Sequence, residues 1–143
     1  MIITIDTNVI FSALYSNRGA SHHILRLVTD ERIKLAISSP IYFEYYDVLT
    51  RKEILAKLNL SAENIEDVLD MLVLLAQKHL IYFLLRPNLP DENDNMLCEC
   101  AFASNSEYLV TSNIRDFKGE LKGFGFDVVT PGMFCNLWRM KHE

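Results

Sequence analysis

Apolar positions along this chain fall into two rhythms, short unbroken runs and longer stretches that repeat every three to four residues. Residues 2–6 open with Ile2, Ile3, Thr4 and Ile5, a β-branched run suited to a strand buried on both faces. Residues 34–38, 80–85, 108–111 and 126–129 read as four further strands of the same short, apolar kind. Helical spacing fills the intervals. A helix starts near Asn8 and runs to Leu14, followed by a polar loop over residues 15–20. Ser21 is placed to cap a helix with Ile24, Leu27 and Val28 on one face. Pro40 falls in the first turn of the next helix, where its missing N–H costs nothing. Residues 50–58 suit a short helix. Ser61 then caps a longer one, with Ile65, Val68, Leu69, Leu72, Leu75 and Ala76 at i, i+3, i+4 spacing. Residues 93–103 and 130–138 supply the last two helices. Strands alternating with helices require right-handed crossovers. The expected fold is therefore a three-layer α/β/α single domain over residues 1–143, with a central, mainly parallel, five-stranded sheet.

Composition narrows the function classes without choosing among them. Half of the 143 residues are apolar and 23% are charged, which is ordinary for a globular domain. No apolar run is long enough to span a bilayer, so no membrane partner is expected. The N-terminus has no basic segment ahead of its apolar residues, so no signal peptide is expected and the cytoplasm is the expected compartment. Three cysteines do not make a disulfide framework.

The acidic residues change the picture most. Asp6 closes the first strand, Glu44 lies within a helix, Asp91, Glu92 and Asp94 cluster at another helix start, and Asp116 follows the run ending at Thr111. Ligands of open parallel sheets bind beyond the carboxyl ends of the strands, the edge that Asp6 and the segment after Thr111 occupy. Carboxylates gathered there repel one another unless a cation holds them, which points to a divalent metal and, through it, to phosphate chemistry. Each acid also has a plainer role open to it. Asp6 is good N-cap chemistry. Glu44 shares an i, i+3, i+7 stripe with Ile41 and Val48, yet a rim position would let it reach water. Asp91 and Glu92 could simply face solvent near a helix dipole, and Asp116 could belong to a capped turn. Asp94 sits on the core-facing edge of a helix bearing Leu97, Cys98 and Ala101. Glu99, about 140° around that helix from Asp94, is expected to face solvent.

Thr7, Asn8, Thr111, Ser112 and Asn113 are short polar residues suited to orienting these carboxylates. The net charge of −5 is wholly accounted for by Asp6, Glu44, Asp91, Asp94 and Asp116, so the acidic total says little against RNA as a substrate.

Four segments together resemble the PIN domain, and in particular the VapC-like toxins of prokaryotes. They are Ile3-Thr4-Ile5-Asp6-Thr7-Asn8-Val9-Ile10, then Ser39-Pro40-Ile41-Tyr42-Phe43-Glu44, then Pro90-Asp91-Glu92-Asn93-Asp94-Asn95-Met96, and last Tyr108-Leu109-Val110-Thr111-Ser112-Asn113-Ile114-Arg115-Asp116-Phe117. The resemblance covers nearly the whole chain. It implies an endoribonuclease dependent on Mg2+ or Mn2+, usually a homodimer, inhibited by a cognate antitoxin. The family's three core acids fall on Asp6, Glu44 and Asp94. Its fourth position is a departure: many members carry an acid where Asn113 stands, leaving Asp116 as the substitute. That departure keeps open a second reading, a catalytically weakened PIN-like module that binds RNA or protein.

Other features weigh less. Cys98 and Cys100 have no matching Cys or His pair for zinc and suit buried packing. His22, Arg26 and Arg18 could form an RNA-facing patch or a solvated surface. Tyr42, Tyr45, Tyr46 and Trp138 could stack on bases, although packing in a core is the commoner use. Met71 and Leu74 extend the apolar surface of their helix, where a homodimer or antitoxin contact is expected.

Overall fold

A computed structural model describes residues 1–78, 92–117 and 125–142. In chain order the elements are β1 (Ile2–Ile5), α1 (Thr7–Tyr15), α2 (Ala20–Thr29), β2 (Lys34–Ile37), α3 (Ser39–Leu49), α4 (Lys52–Leu58) and α5 (Ala62–Leu75). Then come β3 (Gln77–Lys78), α6 (Glu92–Ala103), β4 (Tyr108–Val110), a 3-10 turn (Ile114–Phe117), β5 (Asp127–Val129) and α7 (Pro131–His142). Among the described residues five strands form one sheet in the order β3-β2-β1-β4-β5, and every neighbouring pair is parallel. The chain steps outward from β1 through β2 to β3, then returns to lay β4 on the other side of β1. Strand order therefore reverses between β1 and β4, the place where a parallel sheet leaves a crevice at its carboxyl edge.

Burial explains why the sheet is parallel and central. Ile3 and Ile5 point to one face of β1 and Thr4 to the other, yet all three are buried. Both faces must then be covered by helices, the three-layer arrangement that continuous apolar strands require. Thr4, the polar exception, is satisfied: its hydroxyl lies 2.9 Å from that of Ser106, which in turn lies 2.6 Å from that of Ser104. Helix α6 packs directly on β1, β2 and β4, and α3 packs on α6.

Several local expectations meet the coordinates closely. Pro40 lies in the first turn of α3. Ser61 closes a full capping box, its Oγ accepting from the Asn64 N–H at 3.1 Å while Asn64 Oδ1 accepts from the Ser61 N–H at 3.0 Å. Asn59, at φ 55°, ends α4 in the left-handed conformation that Asn tolerates well. Tyr45 and Trp138 are buried, so these two aromatics pack in the core.

Others need correction. Ser21 is not a cap: α2 starts at Ala20 with Gly19 in the cap position, and Ser21 is buried where the start of this helix meets α7. Helix α7 runs past Trp138 to His142, whose ring stacks on that tryptophan at 3.7 Å. The expected strand over residues 80–85 lies outside the described residues, and β3 is Gln77–Lys78.

The three thiols are free and buried. Desolvation chiefly, then the carboxylates of Asp94 and Glu99, pushes Cys98 from 9.0 up to about 12. Burial raises Cys100 to about 11, partly opposed by hydrogen bonds with Thr4 and Ser38.

Two measurements check this description. Ser61→Ala should destabilise the protein by about 1 kcal/mol, read from urea unfolding, through loss of the cap on α5; an unchanged midpoint would show the box to be dispensable. Cys98 and Cys100 should resist a thiol reagent at pH 8 in the folded protein and react fully once it is unfolded. Because their folded pKa values lie above the ordinary one, their contribution to stability is complete below pH 9 and declines as pH rises toward 11 and 12.

Candidate active site

Strand β1 delivers Asp6 to the carboxyl edge of the sheet and stops there for a visible reason. The Asp6 N–H donates to the Val110 carbonyl at 2.9 Å, the last rung toward β4, while the Asp6 carbonyl accepts from the Val9 N–H at 3.0 Å and starts α1. Asp6 thus occupies the N-cap position of α1, but its side chain makes no capping hydrogen bond. Its Oδ2 instead accepts from the Thr111 hydroxyl at 2.7 Å and from Asn8 Nδ2 at 3.3 Å. The capping alternative is set aside, and the carboxylate is turned into the crevice.

The supporting residues interlock. Asn8 Oδ1 accepts from the Ser112 N–H at 3.2 Å, and Thr111 Oγ1 accepts from the Asn113 N–H at 3.1 Å while donating to Asp6. Thr111 is fully buried. The start of α1 and the loop after β4 are therefore tied across the switch point through one carboxylate and one amide.

Helix α3 brings in Glu44. The buried stripe of α3 is Ile41, Tyr45 and Leu49, at i, i+4, i+8. Glu44 and Val48 flank this stripe rather than lying on it, and both face the crevice. Glu44 Oε1 accepts from Asn93 Nδ2 at 3.0 Å, which joins α3 to the first turn of α6. Asp94, next in that turn, is buried, at the end of the helix whose dipole favours negative charge. Asp116 comes from the 3-10 turn, which Asn113 closes by accepting the Asp116 N–H at 3.2 Å; both side chains are exposed at the mouth.

These residues line one cavity of about 360 Å³, whose walls include Asp6, Thr7, Asn8, Glu44, Asp94, Asn113 and Asp116. Four carboxylates expected from the sequence are brought together there. Asp91, the fifth, lies outside the described residues. The sequence did not single out four of the lining residues as part of a site. Asn93 was hidden in an acidic run and is marked only by its place beside Asp94, and Phe11, Val48 and Ile54 carry ordinary apolar spacing. Glu99 is a correction: it is buried at 5% exposure instead of facing solvent. Helix α6 is enclosed by the sheet on one side and α3 on another, and residues 97–101 are all buried, so no single apolar face could be used to orient it.

The donor set suits a hard divalent cation. It offers carboxylate oxygens and the amide oxygens of Asn8, Asn93 and Asn113, and among the described residues the cavity wall holds no thiol or imidazole. Among the described residues no three acidic, His or Cys side chains are drawn tightly enough to enclose an ion by themselves. A hydrated divalent cation held by one or two carboxylates together with substrate phosphates needs no such enclosure. The cavity has room for a hydrated cation beside a phosphate group, a water occupying roughly 30 Å³.

Comparisons agree with this architecture. No curated protein matches the chain. Among solved structures, a chain of the Rickettsia felis VapBC2 complex, crystallised with a DNA fragment from their promoter, superposes with a TM-score of 0.61 at 22% identity. The match covers 91% of this chain and 98% of that one, and it shows a shared fold. A protein-family model, that of the PIN domain, matches residues 3–115, a span that holds Asp6, Glu44, Asp94 and Asn113 and reaches from β1 into the 3-10 turn after β4. This chain belongs to the PIN domain family.

Proposed function

We propose that this protein is an endoribonuclease that hydrolyses RNA phosphodiester bonds with the help of Mg2+ or Mn2+, and that it acts as the toxin of a toxin–antitoxin pair. The observation that supports this most directly is the convergence of Asp6, Glu44, Asp94 and Asp116 on one cavity at the switch point of a parallel sheet. When bound, the cation would supply Lewis acidity that offsets charge developing on the phosphoryl oxygens. Asp6, Glu44 and Asp94 would hold it, with Asp116 at the mouth as the fourth acid and Asp91 as a further candidate. Thr111 and Asn8 fix the Asp6 carboxylate in one orientation, and Asn93 does the same for Glu44. Burial of Asp94 strengthens its pull on any cation that enters. Substrate enters at the exposed Asn113 and Asp116 side, where Arg115 is also exposed and able to meet a phosphate.

The partner assignments rest on separate observations. Similarity in fold to a VapBC2 chain supports a cognate antitoxin. Leu74 is 81% exposed on α5 beside the half-buried Met71, which supports a homodimer or antitoxin contact there. Among the described residues no helix is long and apolar enough to cross a membrane. Asn113 supports the second reading, a weakened RNA- or protein-binding module, since it places a neutral side chain where a fourth acid would help a second cation.

Asp6→Asn and Asp94→Asn should each lower cleavage of a labelled RNA by about a hundredfold or more, with circular dichroism unchanged. In metal-free buffer Asp94→Asn should also raise the melting temperature, because it relieves carboxylate repulsion. Full activity in both variants would remove these residues from the chemistry. Chelation should abolish cleavage by the wild-type protein and added Mg2+ or Mn2+ should restore it; RNA binding without cleavage under any metal would favour the binding module.

A further inference from the structure

Helix α3 and strand β1 are joined by a buried hydrogen bond that the chemistry described so far does not use. The Tyr45 hydroxyl donates to the Ile5 carbonyl across 40 residues of sequence, and Tyr45 is fully buried. Each partner is covalently next to an acid of the cavity: Ile5 precedes Asp6 and Tyr45 follows Glu44.

The sheet explains why that carbonyl is available. Asp6 donates its N–H toward β4, and Met1 accepts from Lys34 of β2, so alternation along β1 turns the Ile5 carbonyl to the β2 side. Pairing of β1 with β2 runs through Ile2↔Lys34 and Ile3↔Leu35, whereas pairing with β4 continues to Ile5↔Val110. The sheet opens between β1 and β2 just below the crevice, and the Tyr45 hydroxyl enters the gap in place of a ladder partner. Its ring lies in the Ile41, Tyr45, Leu49 stripe, which has no freedom to slide because all three are buried.

We infer that Tyr45 is a positioning residue: by clamping α3 to the end of β1 it sets the separation of Asp6 and Glu44, and with it the affinity of the cavity for a divalent cation. The inference rests on reading the cavity as a cation site, but not on RNA being the substrate. A bond that only held the core together would affect stability alone.

The test compares Tyr45→Phe with Ser106→Ala. Phe fills the same ring volume and removes only the hydroxyl. Ser106→Ala removes a buried hydroxyl, hydrogen-bonded to Thr4, near the opposite end of the sheet. Mn2+ binding is titrated calorimetrically without RNA, well below each melting temperature, and kcat and KM are then measured on a labelled RNA. Both variants should melt earlier than wild type. Tyr45→Phe should weaken Mn2+ binding about tenfold and lower kcat with KM for RNA little changed, while Ser106→Ala leaves Mn2+ binding and kcat within about twofold.

Glu44→Asp shortens the carboxylate by one methylene without touching the Tyr45 bond, and should weaken Mn2+ binding with that bond intact. Affinity within twofold of wild type for Tyr45→Phe, or for Glu44→Asp, overturns the proposal. Wild-type protein that takes up no Mn2+ overturns it together with the cation reading. Wild-type and Ser106→Ala proteins that bind Mn2+ ten times better than Tyr45→Phe but cut no RNA would uphold the positioning role and remove the ribonuclease assignment.

Discussion

Mutual repulsion among carboxylates confined to one cavity is the constraint from which the rest of this molecule can be understood. Asp6, Glu44, Asp94 and Asp116 arrive from β1, α3, α6 and the turn after β4, so bringing them together costs electrostatic energy that the fold must offset. The protein offsets it with donors. Thr111 and Asn8 serve Asp6, and Asn93 serves Glu44. Asp94 sits at a helix start, where the dipole favours its charge. Each donor also joins two elements, so the groups that tolerate the charge are the groups that fix the geometry.

The sheet order is what makes such a meeting possible. Reversal between β1 and β4 leaves the ends of two central strands adjacent with their following segments diverging, α1 to one side and the 3-10 turn to the other. Both faces of β1 are buried, so that edge is rigid. A cation held there would be gripped by side chains whose backbones cannot drift, which is the condition for productive positioning of a phosphate. Local stability is supplied elsewhere, by devices such as the Ser61 capping box, and so leaves the edge free to carry charge.

Much of this was legible in the sequence because the relevant signals are local. The β-branched run ending in Asp6, the Pro40 start of α3, the Ser61 cap and the helix bearing Asp94 each follow from spacing within a few residues. What was not legible depends on tertiary enclosure. Glu99 looked solvated because helical geometry assumes a face open along the whole helix, whereas residues 97–101 of α6 are all buried. Glu44 was placed on the apolar stripe of α3, whereas the true stripe is Ile41, Tyr45 and Leu49; an aromatic with a polar tip could occupy the core only because the Ile5 carbonyl was waiting for its hydroxyl. Ser21 had the chemistry of a cap but lies inside the first turn of α2 and is buried by packing that no nearby residue reveals.

The family assignment and the geometry carry different loads. Membership of the PIN domain family follows from a match over residues 3–115, and the shared fold from superposition on a VapBC2 chain. Neither fixes what enters the cavity. Anomalous diffraction from crystals soaked in Mn2+ addresses that most directly: the account predicts a peak within coordination distance of Asp6, Glu44 and Asp94. Density free of any peak there, with Mn2+ found only on outlying surface carboxylates, would contradict it.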